Sequence, residues 1–126
     1  MNIPDWIVSA VDEFGRATGL AGLSLGENGA ASLAFANGSR LRFEYAFETL
    51  TVMMTLPMRT DNEEPLRRLL TLAHPEVRHS FKLRAGYLPK TGEAFIAARL
   101  AEREVSRVVL ETVFRELWDG IERLKS

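Results

Sequence analysis

The sequence predicts an α+β domain: a twisted antiparallel sheet with three helices, in the order α-β-β-β-β-α-β-β-α. Three observations carry this. Apolar residues recur at helical spacing in the first and last stretches of the chain. Between them, apolar and polar residues alternate as they do along half-buried strands. Two Asn-Gly pairs, Asn28-Gly29 and Asn37-Gly38, punctuate the early strands as hairpin signals, because both residues tolerate positive φ.

The elements follow in order. Pro4 suits the first turn of a helix, where its missing N–H costs nothing. Trp6, Ile7, Ala10, Val11 and Phe14 then share one side, and Gly15 and Gly19 bracket the exit. Leu20, Leu23 and Leu25 suggest a first strand, and Ala31, Leu33 and Phe35 a second. From Arg40 to Phe47 the alternation is clearest, with Leu41, Phe43, Tyr45 and Phe47 facing one way and Arg40, Arg42 and Glu44 the other. Leu50, Val52, Met54 and Leu56 form the next buried stripe. On its opposite side Met53 stands between Thr51 and Thr55, where a solvated face favours polar residues. The short connections make this meander antiparallel.

Asp61 or Asn62 caps a second helix, with Leu66, Leu69, Leu70 and Ala73 as a narrow stripe and His74-Pro75 as its stop. Phe81, Leu83, Ala85 and Tyr87 alternate in a fifth strand, and Ala94 to Leu100 return as a sixth. The last helix begins near Ser106. Val109, Val113, Leu117, Ile121 and Leu124 recur along it, joined by Leu110, Phe114 and Trp118.

At 126 residues the chain has the length of one domain, and no linker or repeat divides residues 1–126. A net charge of -1 gives no bulk attraction to nucleic acid or anionic membrane. Zero Cys excludes disulfides, thiolate metal sites and Cys nucleophiles. The N-terminal residues lack the basic start and apolar run of a signal peptide, and no stretch approaches the roughly 20 apolar residues of a membrane helix. A cytoplasmic protein is the expectation.

The residue types that catalysis needs are not gathered anywhere. His74 and His79 flank Pro75 with only Glu76 as a third metal ligand, and structural or exposed roles explain them better. Gly26-Glu27-Asn28-Gly29 joins two strands, so it is a turn rather than a phosphate cradle. Asp61, Glu63 and Glu64 are explained by a helix N-terminus. Arg40, Arg42 and Arg84 offer a basic strand face, but the strand aromatics share the apolar phase instead of lying exposed for base stacking. Two features fit a self-contained core less easily: Met53 on the wrong sheet face, and the short stripe of the second helix. Such apolar patches mark interfaces. Core packing is the alternative for each.

Assembled, the sequence resembles the class I type III secretion chaperones, the Tir-chaperone (CesT-like) family. Phe14-Gly15-Arg16-Ala17-Thr18-Gly19-Leu20 looks like that family's phenylalanine, glycine and leucine pattern leading into the first strand. The stretch Leu23 to Leu33 is similar to its leucine, turn-glycine and leucine run. Leu66-Arg67-Arg68-Leu69-Leu70 corresponds to its middle helix, and Phe114, Leu117 and Trp118 to its last. Ala73-His74-Pro75-Glu76 and the pI of about 6.1 depart from the family's habit.

The resemblance implies a homodimeric cytoplasmic chaperone, not an enzyme, without cofactor or metal. It implies binding of a secreted effector's N-terminal segment in extended form, keeping the effector soluble and fit for export. For the effector we expect Ile7, Val11, Leu33, Phe35, Phe43 and Met53. For the dimer contact we expect Leu66, Leu69 and Leu70. A small regulatory or ligand-binding α+β module without a secretion role is the alternative.

Overall fold

The first helix forms where its stripe demands. In the computed structural model, which describes residues 2–20, 22–58 and 82–125, α1 spans Asp5–Thr18 with Pro4 at its N-cap. Asp5 places a carboxylate in the first turn, favourable to the helix dipole. Ile7, Ala10, Val11 and Phe14 are buried at the i, i+3, i+4, i+7 spacing. Gly19 ends the helix in the left-handed conformation (φ 73°), and Leu20 N–H donates back to the Gly15 carbonyl at 2.8 Å.

Five strands follow: β1 (Ala30–Ala34), β2 (Arg40–Ala46), β3 (Thr49–Pro57), β4 (Leu83–Leu88) and β5 (Glu93–Ala101). The sheet order is β1-β2-β3-β5-β4, with every neighbouring pair antiparallel. Asn37-Gly38 turns β1 into β2 as its chemistry requires: Gly38 has φ 92°, and the Asn37 side-chain carbonyl accepts from the Ser39 N–H at 2.9 Å. After β5 a 3₁₀ turn (Glu102–Glu104) leads into α2 (Arg107–Lys125). Ser106 Oγ accepts from the Val109 N–H at 3.2 Å, in the manner of an N-cap.

Both helices cover one face of the sheet. α2 lies over β3 and β5, and α1 packs beside it. Phe14 ties the layers together, meeting Phe43 of β2 at 5.8 Å and Phe114 of α2 at 5.7 Å, both edge to face. Leu41, Leu50, Val52, Met54, Ile96 and Leu100 fill the layer beneath.

The structure corrects the expected order in three places. Among the described residues there are two α-helices and five strands. Leu20, Leu23 and Leu25 are not in a strand: Leu23 and Leu25 are buried as side chains, and no ladder joins them to another strand among the described residues. Phe47 does not continue the buried row of β2, because the chain reverses there and leaves the ring 98% exposed. The 3₁₀ turn was not anticipated. The second helix, with Leu66, Leu69 and Leu70, and the first residues of the fifth strand lie outside the described residues.

Candidate functional site at the free edge of the sheet

β1 pairs with β2 on one side and, among the described residues, with no strand on the other. The register decides which backbone groups look outward. Phe35 N–H donates to the Ser39 carbonyl at 2.9 Å, and Tyr45 N–H to the Gly29 carbonyl at 2.7 Å. Residues 29, 31, 33 and 35 therefore turn their polar groups toward β2, and residues 30, 32 and 34 turn theirs away. Ala30 is already engaged, since its carbonyl accepts from Gly26 N–H and its N–H donates to the Asn28 side chain. Ser32 and Ala34 are left with N–H and C=O groups pointing outward.

This edge carries none of the usual protections. The strand reads Ala-Ala-Ser-Leu-Ala, without a charge, a proline or a bulge to repel another strand.

Aromatic rings stand beside the edge on the helix face of the sheet, and a depression adjoins it on the open face. On the helix face, Phe35 lies 5.1 Å from Trp118 and 6.2 Å from Phe114. Phe114 and Trp118 also line a cavity of about 330 Å³, with Thr18, Glu111 and Arg115, between the end of α1 and α2. Leu33 is half-buried on the same side. On the open face, a cavity of about 520 Å³ is lined by Ser32, Arg42, Glu44, Thr51, Met53 and Leu88. Met53 stands opposite Arg42 on one side and Ala97 on the other. Its apolar side chain on the face away from the helices is where the alternation placed it.

The residues expected to meet an effector thus divide. Leu33 and Phe35 are partly exposed at the β1 edge, and Met53, partly exposed on β3 with β2 between, shares the open-face depression with Ser32. Ile7 and Val11 (0% exposed) and Phe43 (2%) are not available: they hold α1 to the sheet, and this corrects their assignment to a binding surface. Helix spacing identifies a stripe but not which side of it meets the sheet. Phe114 and Trp118 belong to the groove although the sequence reading left them with the last helix. Their signal was the pair of large aromatics four residues apart, in excess of what one buried stripe holds.

The open face holds a further detail. Phe95 lies across from Gly86, and a Cβ built on Gly86 would come within 2.7 Å of the Phe95 ring. The ring covers the glycine. Glycine inside a strand pattern signals such an approach. Thr55, also on this face, is 1% exposed, and its Oγ1 has no hydrogen-bond partner.

Among the described residues no cluster of His, Asp and Glu gathers to hold a metal ion, and no helix is long and apolar enough to cross a membrane. What the site offers is backbone hydrogen bonding flanked by aromatic rings on one face and a depression on the other, the means of binding an extended polypeptide.

The fold of the described residues, two helices on one face of a five-stranded antiparallel sheet, matches solved structures that include a type III secretion chaperone. The chain is similar in fold to a chain of the ExsC–ExsE complex, with a TM-score of 0.73 and 24% identity, covering 94% of this chain and 90% of that one. The Yersinia pestis type III secretion chaperone SycH, solved with a stable fragment of YscM2, matches with a TM-score of 0.70 and 18% identity, over 94% of this chain and 98% of the other. The HopA1–SchA chaperone–effector complex matches with a TM-score of 0.67 and 19% identity, over 98% and 96%. No curated protein matches the sequence. The pattern of the family described as type III secretory system chaperone SycN matches residues 6–123. The chain belongs to that family of secretion chaperones.

Proposed function

We propose that this protein binds the N-terminal region of a type III secreted effector as an extended segment added to the outer edge of β1. The observation that carries the reading is the pair of outward-facing residues, Ser32 and Ala34, set between the rings of Phe35, Phe114 and Trp118 and the open-face depression. Successive side chains of an added strand point to opposite faces. One set enters the aromatic groove of Phe35, Phe114 and Trp118. The other lies over Ser32, Arg42 and Met53. Family membership supports the same reading, as do the chaperone–effector and chaperone–partner complexes among the solved structures of like fold.

In this reading the protein is the cytoplasmic homodimer of a class I, CesT-like chaperone, and Leu66, Leu69 and Leu70 supply the dimer contact on their sequence spacing. It holds its client by shape and hydrogen bonds and performs no reaction on it. A client that orders only on binding loses conformational entropy there, so affinity requires both the edge bonds and the apolar contacts beside them.

The test is to express the tagged chain in a bacterium that carries its secretion system, identify the secreted protein that co-purifies, and measure binding of that protein's N-terminal segment by calorimetry. Binding abolished by Phe35→Ala with Trp118→Ala supports the reading. Full affinity in that double variant, or a client bound only through its C-terminal domain, overturns it. Light scattering tests the dimer; a monomer at micromolar concentration removes that part.

A further inference from the structure

The turn between β2 and β3 is built from residues that a turn of its kind does not favour. Phe47 (φ 52°) and Glu48 (φ 57°) both adopt left-handed backbone conformations. A two-residue hairpin turn of this type favours Asn-Gly, and a bulky L-residue there is an outlier. The fold gains no burial in return, because the Phe47 ring is almost wholly exposed. Trp6 and Val108, the other large apolar side chains called exposed, are both less so and sit in ordinary helices.

The turn is nevertheless firmly held. Glu102 N–H donates to the Glu48 carbonyl at 3.0 Å, and Thr49 Oγ1 donates to the Phe47 carbonyl at 3.3 Å. Beneath it, Tyr45 Oη donates to Glu102 Oε2 at 2.8 Å, and Glu104 Oε1 accepts from the Ala101 N–H at 2.8 Å. An unfavourable backbone persists where its surroundings over-determine it, and such outliers concentrate at binding positions. Glu48 is the second residue of the turn, and Glu102 is held against it by the bond from its N–H to the Glu48 carbonyl. The Glu102 carboxylate accepts from the Tyr45 phenol beneath the turn, and with burial and the Glu48 charge it raises the phenol's pKa, so two carboxylates stand close to the turn.

We propose that Phe47 is a docking knob for a second protein, distinct from the client, whose receiving site is an apolar pocket rimmed by Lys and Arg. A single aromatic ring on a braced turn fits a pocket, and the carboxylates close to the turn select basic neighbours. They also oppose an anionic membrane surface. Along β2, Phe47 lies five residues beyond Arg42, the partner of Ser32, roughly 17 Å at the rise of a strand. The proposal therefore does not rest on the client reading.

Two measurements on the full-length chain test it. In the first, the double variant Phe47→Asn with Glu48→Gly is purified. Its thermal midpoint is expected at or above that of the parent, with affinity for the co-purifying client segment unchanged within twofold. A lowered midpoint means that Phe47 serves the fold, and overturns the proposal. In the second, p-benzoylphenylalanine replaces Phe47, with the same label at Val108 as control, and cells carrying the native secretion system are irradiated. The expected result is one cross-linked protein, mapped by mass spectrometry to apolar residues flanked by Lys or Arg. Its yield falls at least fivefold when Glu48→Lys is added. Cross-links into the client or a second copy of this chain, a product shared with position 108, or no product at all each overturn the proposal.

Discussion

Proline placed along β1 separates binding from folding by phase alone. The N–H groups of Ser32 and Ala34 point away from β2, so Ser32→Pro or Ala34→Pro removes no bond of the existing ladder. Edge strands accept proline where the lost N–H faces outward. The added client strand loses one hydrogen bond and is left with an unpaired carbonyl, which costs about 1–3 kcal/mol. That corresponds to a weakening of roughly 5- to 150-fold in Kd. Leu33→Pro differs by one residue and removes an N–H directed at β2. It strands the Leu41 side of the ladder and withdraws a half-buried side chain, so both stability and binding fall. The assay is calorimetric titration of the client's N-terminal segment against each variant, paired with thermal unfolding by circular dichroism. Expected are near-parental midpoints with weakened binding at 32 and 34, and lowered midpoints at 33. Undiminished affinity in both Ser32→Pro and Ala34→Pro would refute the edge-addition argument, whatever happens at 33.

Three further outcomes follow from the packing. Phe14→Ala empties the contact with Phe43 and Phe114 and is expected to cost about 3–5 kcal/mol in chemical denaturation; a loss under 1 kcal/mol contradicts its role as the tie between layers. Gly86→Ala drives a methyl into the Phe95 ring and is expected to cost about 1–2 kcal/mol, a cost that disappears in the Phe95→Ala background. A double-mutant cycle with no coupling counts against the ring covering the glycine. Tyr45 donates to the Glu102 carboxylate, and that bond, burial and the neighbouring charges raise its pKa. Above pH 10 the folded state therefore holds this proton more tightly than the unfolded state, and stability declines as pH rises through the folded pKa. Tyr45→Phe is expected to remove that part of the slope, measured as midpoint against pH from 8 to about 11. Identical slopes in parent and variant negate it.

Local chemistry was legible wherever one short-range rule governed. The helix of residues 5–18 and the last helix followed from their stripes, and Asn37-Gly38 from its tolerance of positive φ. The strands around Phe43 and Val52 followed from alternation, which also placed Met53 on the face away from the helices. The resemblance to the secretion chaperones, carried by motifs such as Phe14 to Leu20, agrees at the level of class with the family match over residues 6–123. Where two rules competed, the reading failed. Leu20, Leu23 and Leu25 have strand spacing, but Leu23 and Leu25 are buried as side chains and no ladder joins the three to another strand among the described residues. Phe47 is in phase with Phe43 and Tyr45, yet hydrogen bonds from residues 49 and 102 reverse the chain one residue earlier than the pattern suggests.

The amino-acid sequence by itself determined which side chains are apolar, where the chain turns, and hence which elements form, because those preferences act over a few residues. It could not say that Val11 is enclosed while Phe35 stays half-open, since both are merely apolar at the right spacing. That distinction arose when α2 was laid over β3 and β5, bringing Phe114 and Trp118 to Phe35, while among the described residues one edge of β1 has no strand partner. Burial is a property of neighbours distant in sequence, and only the assembled sheet and helices supply them.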